Sequence, residues 1–241
     1  MTSPTKKQSL ANLDNLLRSE GVILDAILDI GVQYSTPELI HAFKDAKHIL
    51  VEPAEEYFDS IHSNYTAANI NYELVQAACG KTRGEAILNL IDIAQSGHVT
   101  HTSISDEPKA PNWRKIDVLT IENLLDSHLN SYNHKLLKVD VDGIELDILK
   151  GASSRLAEFD VVIVEAPISI DNNFFFDRLS HVRSMGFVIW DIVDFCYYKS
   201  CLSQVDLIFV RQDLKSSLKK LDPWNDGTGF SPSEWFTYLQ N

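Results

Sequence analysis

Two short apolar runs, each closing on a turn, constrain the fold more than any other feature of the chain. Residues 26–37 read AILDIGVQYSTP, in which Ile27, Leu28 and Ile30 lead into Gly31. Residues 48–53 read HILVEP and close on Glu52. A short continuous apolar run suits a strand buried on both faces of a parallel sheet, and a glycine just after it permits a tight turn. Between the runs, residues 37–47 carry Leu39, Ile40 and Phe43 at helical spacing. Strand, glycine turn, helix and second strand form the βαβ unit of nucleotide-binding sheets. Glu52 follows Gly31 by 21 residues, close to the ~20 expected of an acid that bonds a ribose. The G-x-G-x-x-G fingerprint is absent, because Gln33, Ser35 and Thr36 stand where further glycines would cradle a pyrophosphate. This argues against NAD and FAD and suits a nucleoside ligand without phosphates, such as S-adenosylmethionine. The plainer alternative is an ordinary strand–turn–helix with a surface glutamate.

The same alternation continues. Further strands are expected at 72–77, 136–141, 161–165, 187–192 and 205–210, with helices at 9–19, 55–69, 144–150 and 176–184. Strands alternating with helices imply a mostly parallel sheet covered on both faces. The last two strands, separated only by a loop holding Phe195, Tyr197 and Tyr198, could pair antiparallel. Residues 85–93 and 114–118 read as additional strands and 121–129 as a helix, whereas 94–111 are polar and irregular, a long loop of the kind that forms lids or substrate walls. Residues 1–8 are expected to fray. With no linker or internal repeat, residues 1–241 read as a single domain, with a helical extension over 1–24 and a tail over 211–241.

Composition narrows the partners. A formal charge of −13 opposes binding to nucleic acid, whose affinity comes largely from Lys and Arg neutralising phosphates. No apolar run approaches the ~20 residues that span a bilayer, and the first residues lack a signal-peptide core, so no membrane span and a cytoplasmic location are expected. Three cysteines without a CxxC pair suggest no disulfide framework. His98 and His101 stand three apart without a nearby carboxylate at ligand spacing, so the local pattern implies no metal site.

The most chemically loaded stretch is Lys138-Val139-Asp140-Val141-Asp142-Gly143-Ile144-Glu145. Strand alternation puts Leu136, Lys138 and Asp140 on one side. A lysine inside an apolar strand is costly to bury unpaired, so Asp140 or Glu165 should be its partner. Ligands in open α/β sheets bind beyond the carboxyl ends of the strands, where Asp29, Glu52, Asp140, Glu165 and Asp191 all fall. Asp142 and Glu145 are spaced like a capping box and are at least as readily structural.

Together these pieces resemble the FkbM family of S-adenosylmethionine-dependent methyltransferases. The resemblance rests on Leu28-Asp29-Ile30-Gly31, Val51-Glu52-Pro53, residues 137–145, Leu149-Lys150-Gly151-Ala152 and Ile163-Val164-Glu165, and spans about residues 27–210. It implies an α/β fold, a Rossmann-like class I methyltransferase sandwich with a seven-stranded sheet in order 3-2-1-4-5-7-6. It also implies methyl transfer, usually to a hydroxyl of a sugar or natural product. By position, Asp29 and Gly31 would lie beside the methionine part of the cofactor. Glu52, with Pro53 behind it, would hold the ribose, Ala77 and Ala78 would border the adenine, and Asp140 would face the methyl. The family turn usually runs D-x-G-x-N-x-G; here Gln33 and Ser35 replace the Asn and the second Gly, a change that bears on cofactor affinity.

The resulting expectation is an O-methyltransferase acting on a small-molecule or glycan acceptor. Asp140 is the candidate base, with Lys138 or Glu165 tuning it; equally, Asp140 and Glu165 could hold a Mg²⁺ that polarises the acceptor oxygen. The acceptor wall is expected from residues 167–176, with Asp171, Asn172 and Asn173 reading hydroxyls, and from Trp113 and residues 195–198. These aromatics, and Trp224, Phe230, Trp235 and Phe236 of the tail, could instead pack in the core or at a homo-oligomer contact. The alternative function is a non-catalytic binding or dimerisation module that retains the fold.

Overall fold

Strands as apolar as 27–30, 136–139 and 161–164 tolerate no wet face, which leaves a central sheet with helices on both sides as their solution. The computed structural model describes residues 5–92, 99 and 101–214; the tail aromatics and His98 lie outside them. The chain opens with α1 (Lys6–Ser19), then β1 (Ala26–Ile30), α2 (Pro37–Ala42), β2 (Lys47–Val51), α3 (Phe58–Ala67) and β3 (Tyr72–Val75). Four strands intervene: β4 (Ala78–Cys79), β5 (Gly84–Ile91), β6 (His101–Ser105) and β7 (Asn112–Leu119). α4 (Ile121–Leu124) continues into a π turn and leads to β8 (Lys135–Val139), α5 (Glu145–Gly151) and β9 (Val161–Pro167). The chain then forms α6 (Phe174–Ser184), β10 (Phe187–Tyr198) and β11 (Cys201–Arg211).

The main sheet has seven strands in order β3-β2-β1-β8-β9-β11-β10, which is 3-2-1-4-5-7-6 when only its own strands are counted. β3, β2, β1, β8 and β9 run parallel, and β11 lies antiparallel to both β9 and β10. The direction of strand succession reverses between β1 and β8, and clefts form at such a reversal. Leu28, Ile30, Leu137 and Val139 pack with α4, α5 and α6 through Leu124, Ile148, Leu149 and Val182. The opposite face, with Ile27, Leu136, Ile163 and Ile208, packs on Leu10, Leu13 and Leu17 of α1 and Leu39 and Phe43 of α2. Strand alternation places Asp29, Lys138, Glu165 and Asp206 on this second face, toward the strand ends.

Several boundaries differ from the sequence reading. α1 begins at Lys6 rather than at residue 9, because the Thr5 side chain accepts from Gln8 N while the Gln8 side chain accepts from Thr5 N. β10 and β11 form one long hairpin through Lys199 and Ser200, both at positive φ (46° and 67°), as a tight turn between twisted strands requires. Phe195, Tyr197 and Tyr198 therefore stand on a strand, exposed, and not in a loop.

The larger departure is a second sheet, in order β4-β7-β5-β6. The strands read at 85–93 and 114–118 belong to it, but the stretch expected to be irregular contains β6. This strand pairs antiparallel with β5, Ile87 opposite Ser105 and Leu90 opposite Thr102. One fully buried amide secures it: Asn89 Nδ2 donates to Ser103 O (3.2 Å) and Ser105 Oγ (2.8 Å), while its Oδ1 accepts from Lys109 N (2.6 Å) and Ala110 N (3.1 Å). Backbone satisfaction by one side chain leaves no periodic apolar trace, which explains why the strand was not legible.

The turn after β8 is fixed by a buried ion pair. Glu145, wholly buried, accepts from Gly143 N (2.8 Å) and Val141 N (3.3 Å) through Oε1, and its Oε2 pairs with Arg178 of α6, 1% exposed. Glu145 thus holds the turn from inside the protein, and Asp142 caps nothing: α5 has no side-chain cap. Removing one partner of a buried pair strands the other charge. Arg178→Ala is expected to cost about 3–5 kcal/mol of stability, read from urea unfolding midpoints; a loss below about 1 kcal/mol, the size of an exposed pair, would contradict this role.

Candidate active site

Gly31 ends β1 in the left-handed region (φ +84°), and a Cβ built there would lie 1.8 Å from the carbonyl oxygen of Asp140. Only glycine permits the two chain segments to approach so closely. The backbone then links three strands, with Gly31 N donating to Val51 O and Asp140 N to Ile30 O, both at 3.0 Å. Around this crossing lies a cleft of about 430 Å³, within the ~300–1,000 Å³ range of small-molecule sites.

One half of the cleft is built by the first βαβ unit. Gly31, Gln33, Ser35, Glu52 and Pro53 line it, followed by Ala77 and Ala78 from the approach to the second sheet. Gln33 adopts φ +56° and directs its N–H to Glu52 Oε2 (2.9 Å), while Ala54 N donates to Oε1 (2.9 Å). The replaced turn residue therefore keeps a left-handed backbone, at the modest strain a non-glycine carries there. Burial pushes the Glu52 carboxyl up, and these two N–H groups partly oppose the shift. A carboxylate offers about four lone-pair sites, so two remain for a ligand.

Asp29, expected beside the cofactor, does not line the cleft. It is fully buried behind the turn, with Oδ2 accepting from Thr36 Oγ1 (2.5 Å) and Oδ1 3.5 Å from Lys138 Nζ. Its position follows from register, since Asp29 and Lys138 stand opposite each other on β1 and β8. Asp29 anchors both the turn and the lysine.

The other half carries the charge. Lys138, Asp140 and Glu165 all line the cleft. Lys138 Nζ lies 2.9 Å from Asp140 Oδ2. Burial lowers the Lys138 proton affinity, but Asp29 and Asp140 more than offset it and keep the ammonium charged. Burial raises Asp140, yet Lys138 outweighs it and holds this carboxyl below its usual range. Glu165 moves the opposite way, pushed up to about 9 by burial and then by the neighbouring Asp140, to which it hydrogen-bonds. The surroundings thus drive the two carboxyls apart, Asp140 toward its ionised form and Glu165 toward its neutral one, the kind of division that environment imposes on like groups.

Several lining groups were not anticipated. β6 contributes His101, Thr102 and Ser103, and β11 contributes Gln204, whose amide donates to Glu165. Asp142, also lining, is raised by burial, and His101 opposes the shift. The expected wall of Trp113, Asp171, Asn172, Asn173 and residues 195–198 does not line the cleft, whereas β6, the strand that Asn89 secures, does. Asp191 is also elsewhere, bonded to Ser9. Among the described residues no three His, Cys, Asp or Glu side chains group as a metal site. Asp140 instead pairs with Lys138 and hydrogen-bonds to Glu165, and the reading of a Mg²⁺ between the two acids has no support.

The family model described as the methyltransferase FkbM domain matches residues 25–189. The chain belongs to the FkbM methyltransferase family. The family resemblance therefore carries over the enzyme class and its S-adenosylmethionine dependence. No protein of curated function matches the sequence significantly. Among solved structures, the chain is similar to the METTL16 MTase domain (12% identity, 87% of this chain and 69% of that one, TM-score 0.48). It is also similar to a precorrin-6y C5,15-methyltransferase from Geobacter metallireducens (15%, 84% and 87%, 0.42). A ribosomal protein L11 methylase from Lactobacillus delbrueckii subsp. bulgaricus gives 13% identity, 84% and 77% coverage and a TM-score of 0.44. Among the described residues of this FkbM methyltransferase, no helix is long and apolar enough to cross a membrane.

The raised proton affinity of Glu165 has a consequence for stability. A carboxyl that binds its proton more tightly when folded stabilises fully below its unfolded value of about 4.3. That contribution is lost as pH rises through its folded value of about 9. Glu165→Gln, which mimics the neutral acid, should flatten the decline of unfolding free energy between pH 5 and 9. Denaturant unfolding at a series of pH values reads this; an unchanged slope would show that Glu165 is not held neutral.

Proposed function

We propose that this protein transfers a methyl group from S-adenosylmethionine to a hydroxyl of a sugar or another small polar natural product, with Asp140 as the base. One observation carries the reading: an ionised carboxylate, paired to a buried lysine, sits at the carboxyl end of β8 beside the glycine turn that a nucleoside cofactor needs. The residues present fit that cofactor. Gly31 lets the turn close against the Asp140 backbone at the edge of the cleft, Glu52 retains lone pairs for two ribose hydroxyls, and Ala77 and Ala78 form a small apolar border for a base. When bound, S-adenosylmethionine supplies a methyl group already activated on a sulfonium.

The chain's own residues then align and deprotonate. Asp140 accepts a hydrogen bond from the acceptor hydroxyl and takes its proton as the oxygen is alkylated. Lys138 keeps Asp140 ionised and oriented, while neutral Glu165 donates a hydrogen bond to Asp140. Thr102 and Ser103 of β6, with Gln204, offer hydroxyl and amide groups suited to a polyol. The overall charge of −13 and the acids of the cleft favour a neutral acceptor over nucleic acid.

Calorimetric titration with S-adenosylmethionine tests the cofactor half, and Glu52→Ala should weaken binding at least tenfold. Asp140→Asn should retain cofactor binding but lose at least about 100-fold in methyl transfer to a responsive sugar acceptor, the scale of general-base loss. Near-normal turnover of Asp140→Asn would overturn the base assignment. No binding by the folded wild type would favour the non-catalytic module instead.

A further inference from the structure

The helix preceding the matched domain contributes to the same cluster of acids. Lys6, in the first turn of α1, is 5% exposed, and its Nζ lies 2.5 Å from Asp206, 3.0 Å from Glu38 and 3.2 Å from Asp194. A cation in the first helical turn opposes the helix dipole, and burying it adds a desolvation cost. Three carboxylates from β11, α2 and β10 offset both. The helix is held in register there by Ser9 Oγ, which donates to Asp191 Oδ2 (2.5 Å) and accepts from Trp190 Nε1 (3.2 Å).

What Lys6 neutralises bears directly on the cleft. Asp206 stands opposite Glu165 on the antiparallel strands β11 and β9. Like charges in that position repel. Asp206 is 5% exposed and has Glu165 and Asp140 on one side and Lys6 on the other. Positive and negative groups thus alternate along the sheet end: Lys6, Asp206, the Glu165–Asp140 pair, Lys138 and Asp29. Asp206, Glu165 and Asp140 thus bear on one another's ionisation, with Lys6 paired to Asp206 and Lys138 to Asp140. Glu38, which lines the cleft, Asp194 and the more distant ammonium of Lys138 also act on Lys6, and the charge of Glu145 acts on Glu165.

We propose that Lys6 is a positioning residue for the active site: by holding Asp206 as a carboxylate it keeps the shared proton on Glu165, which leaves Asp140 free to act as base. The N-terminal helix, outside the matched residues 25–189, is then a working part of the site rather than an appendage. The proposal rests on the reading of Asp140 as the base. Burial raises Asp206 despite Lys6, so loss of the ammonium should move the proton onto Asp206 and lower the affinity of Glu165.

The test is a side-chain carboxyl ¹³C NMR titration of the whole chain, assigned by Asp206→Asn and Glu165→Gln. In Lys6→Met the Glu165 midpoint should fall and the Asp206 midpoint rise, each by at least about one pH unit, the usual effect of a nearby charge. Lys6→Arg should restore both. Unchanged midpoints in folded Lys6→Met would overturn the proposal. If Lys6→Met fails to fold, Asp206→Asn alone decides: a lower Glu165 midpoint supports the proposal and an unchanged one overturns it. The titration needs neither cofactor nor acceptor, so its failure is separable from a failure of S-adenosylmethionine binding, which calorimetry on the wild type reads independently.

Discussion

The near-contact of two backbones, Gly31 at the end of β1 and Asp140 beyond β8, is what the site depends on. Because no side chain fits between them, the turn that would receive a nucleoside and the carboxylate that would meet an acceptor lie side by side at the reversal of the sheet. Register then brings Lys138 opposite Asp29, so the lysine needed to keep Asp140 ionised already has a second, buried partner. Glu145 and Arg178 hold the Asp140 turn from the α6 side. The geometry of the cleft thus follows from backbone packing and two buried lysine or arginine pairs, with little left to flexible surface groups.

Charge alternation explains how so many acids share one end of a sheet. Asp29, Asp140, Glu165 and Asp206 would repel one another strongly in a low-dielectric setting. Interleaved Lys138 and Lys6, with one proton retained on Glu165, reduce the local charge to a value that burial can sustain. The same arrangement disfavours a further negative charge, which fits a neutral hydroxyl acceptor better than a phosphorylated one.

Much of this was legible in the sequence wherever a short apolar run ended in a chemically unusual residue. Gly31, Glu52, Lys138, Asp140 and Glu165 each interrupt or close such a run, and the structure brings them to one cleft. The five parallel strands were equally visible, because burial on both faces leaves a continuous apolar signature. Features that depend on single polar residues were not. β6 owes its place to Asn89, 12 residues upstream of its first residue, His101. Lys6 acts through acids some 30 to 200 residues away in sequence. Asp29 was placed beside the ligand because its motif position suggests it, whereas its side chain, on the same face as Lys138, is fully buried against Thr36 and that lysine.

A crystal structure of the protein with S-adenosylhomocysteine would test the account most directly. The account predicts the ribose hydroxyls on Glu52, the chain passing Gly31 and the thioether directed toward Asp140, with β6 over the ligand. A nucleoside bound elsewhere, or a Glu52 carboxylate that makes no contact with the ribose, would contradict it.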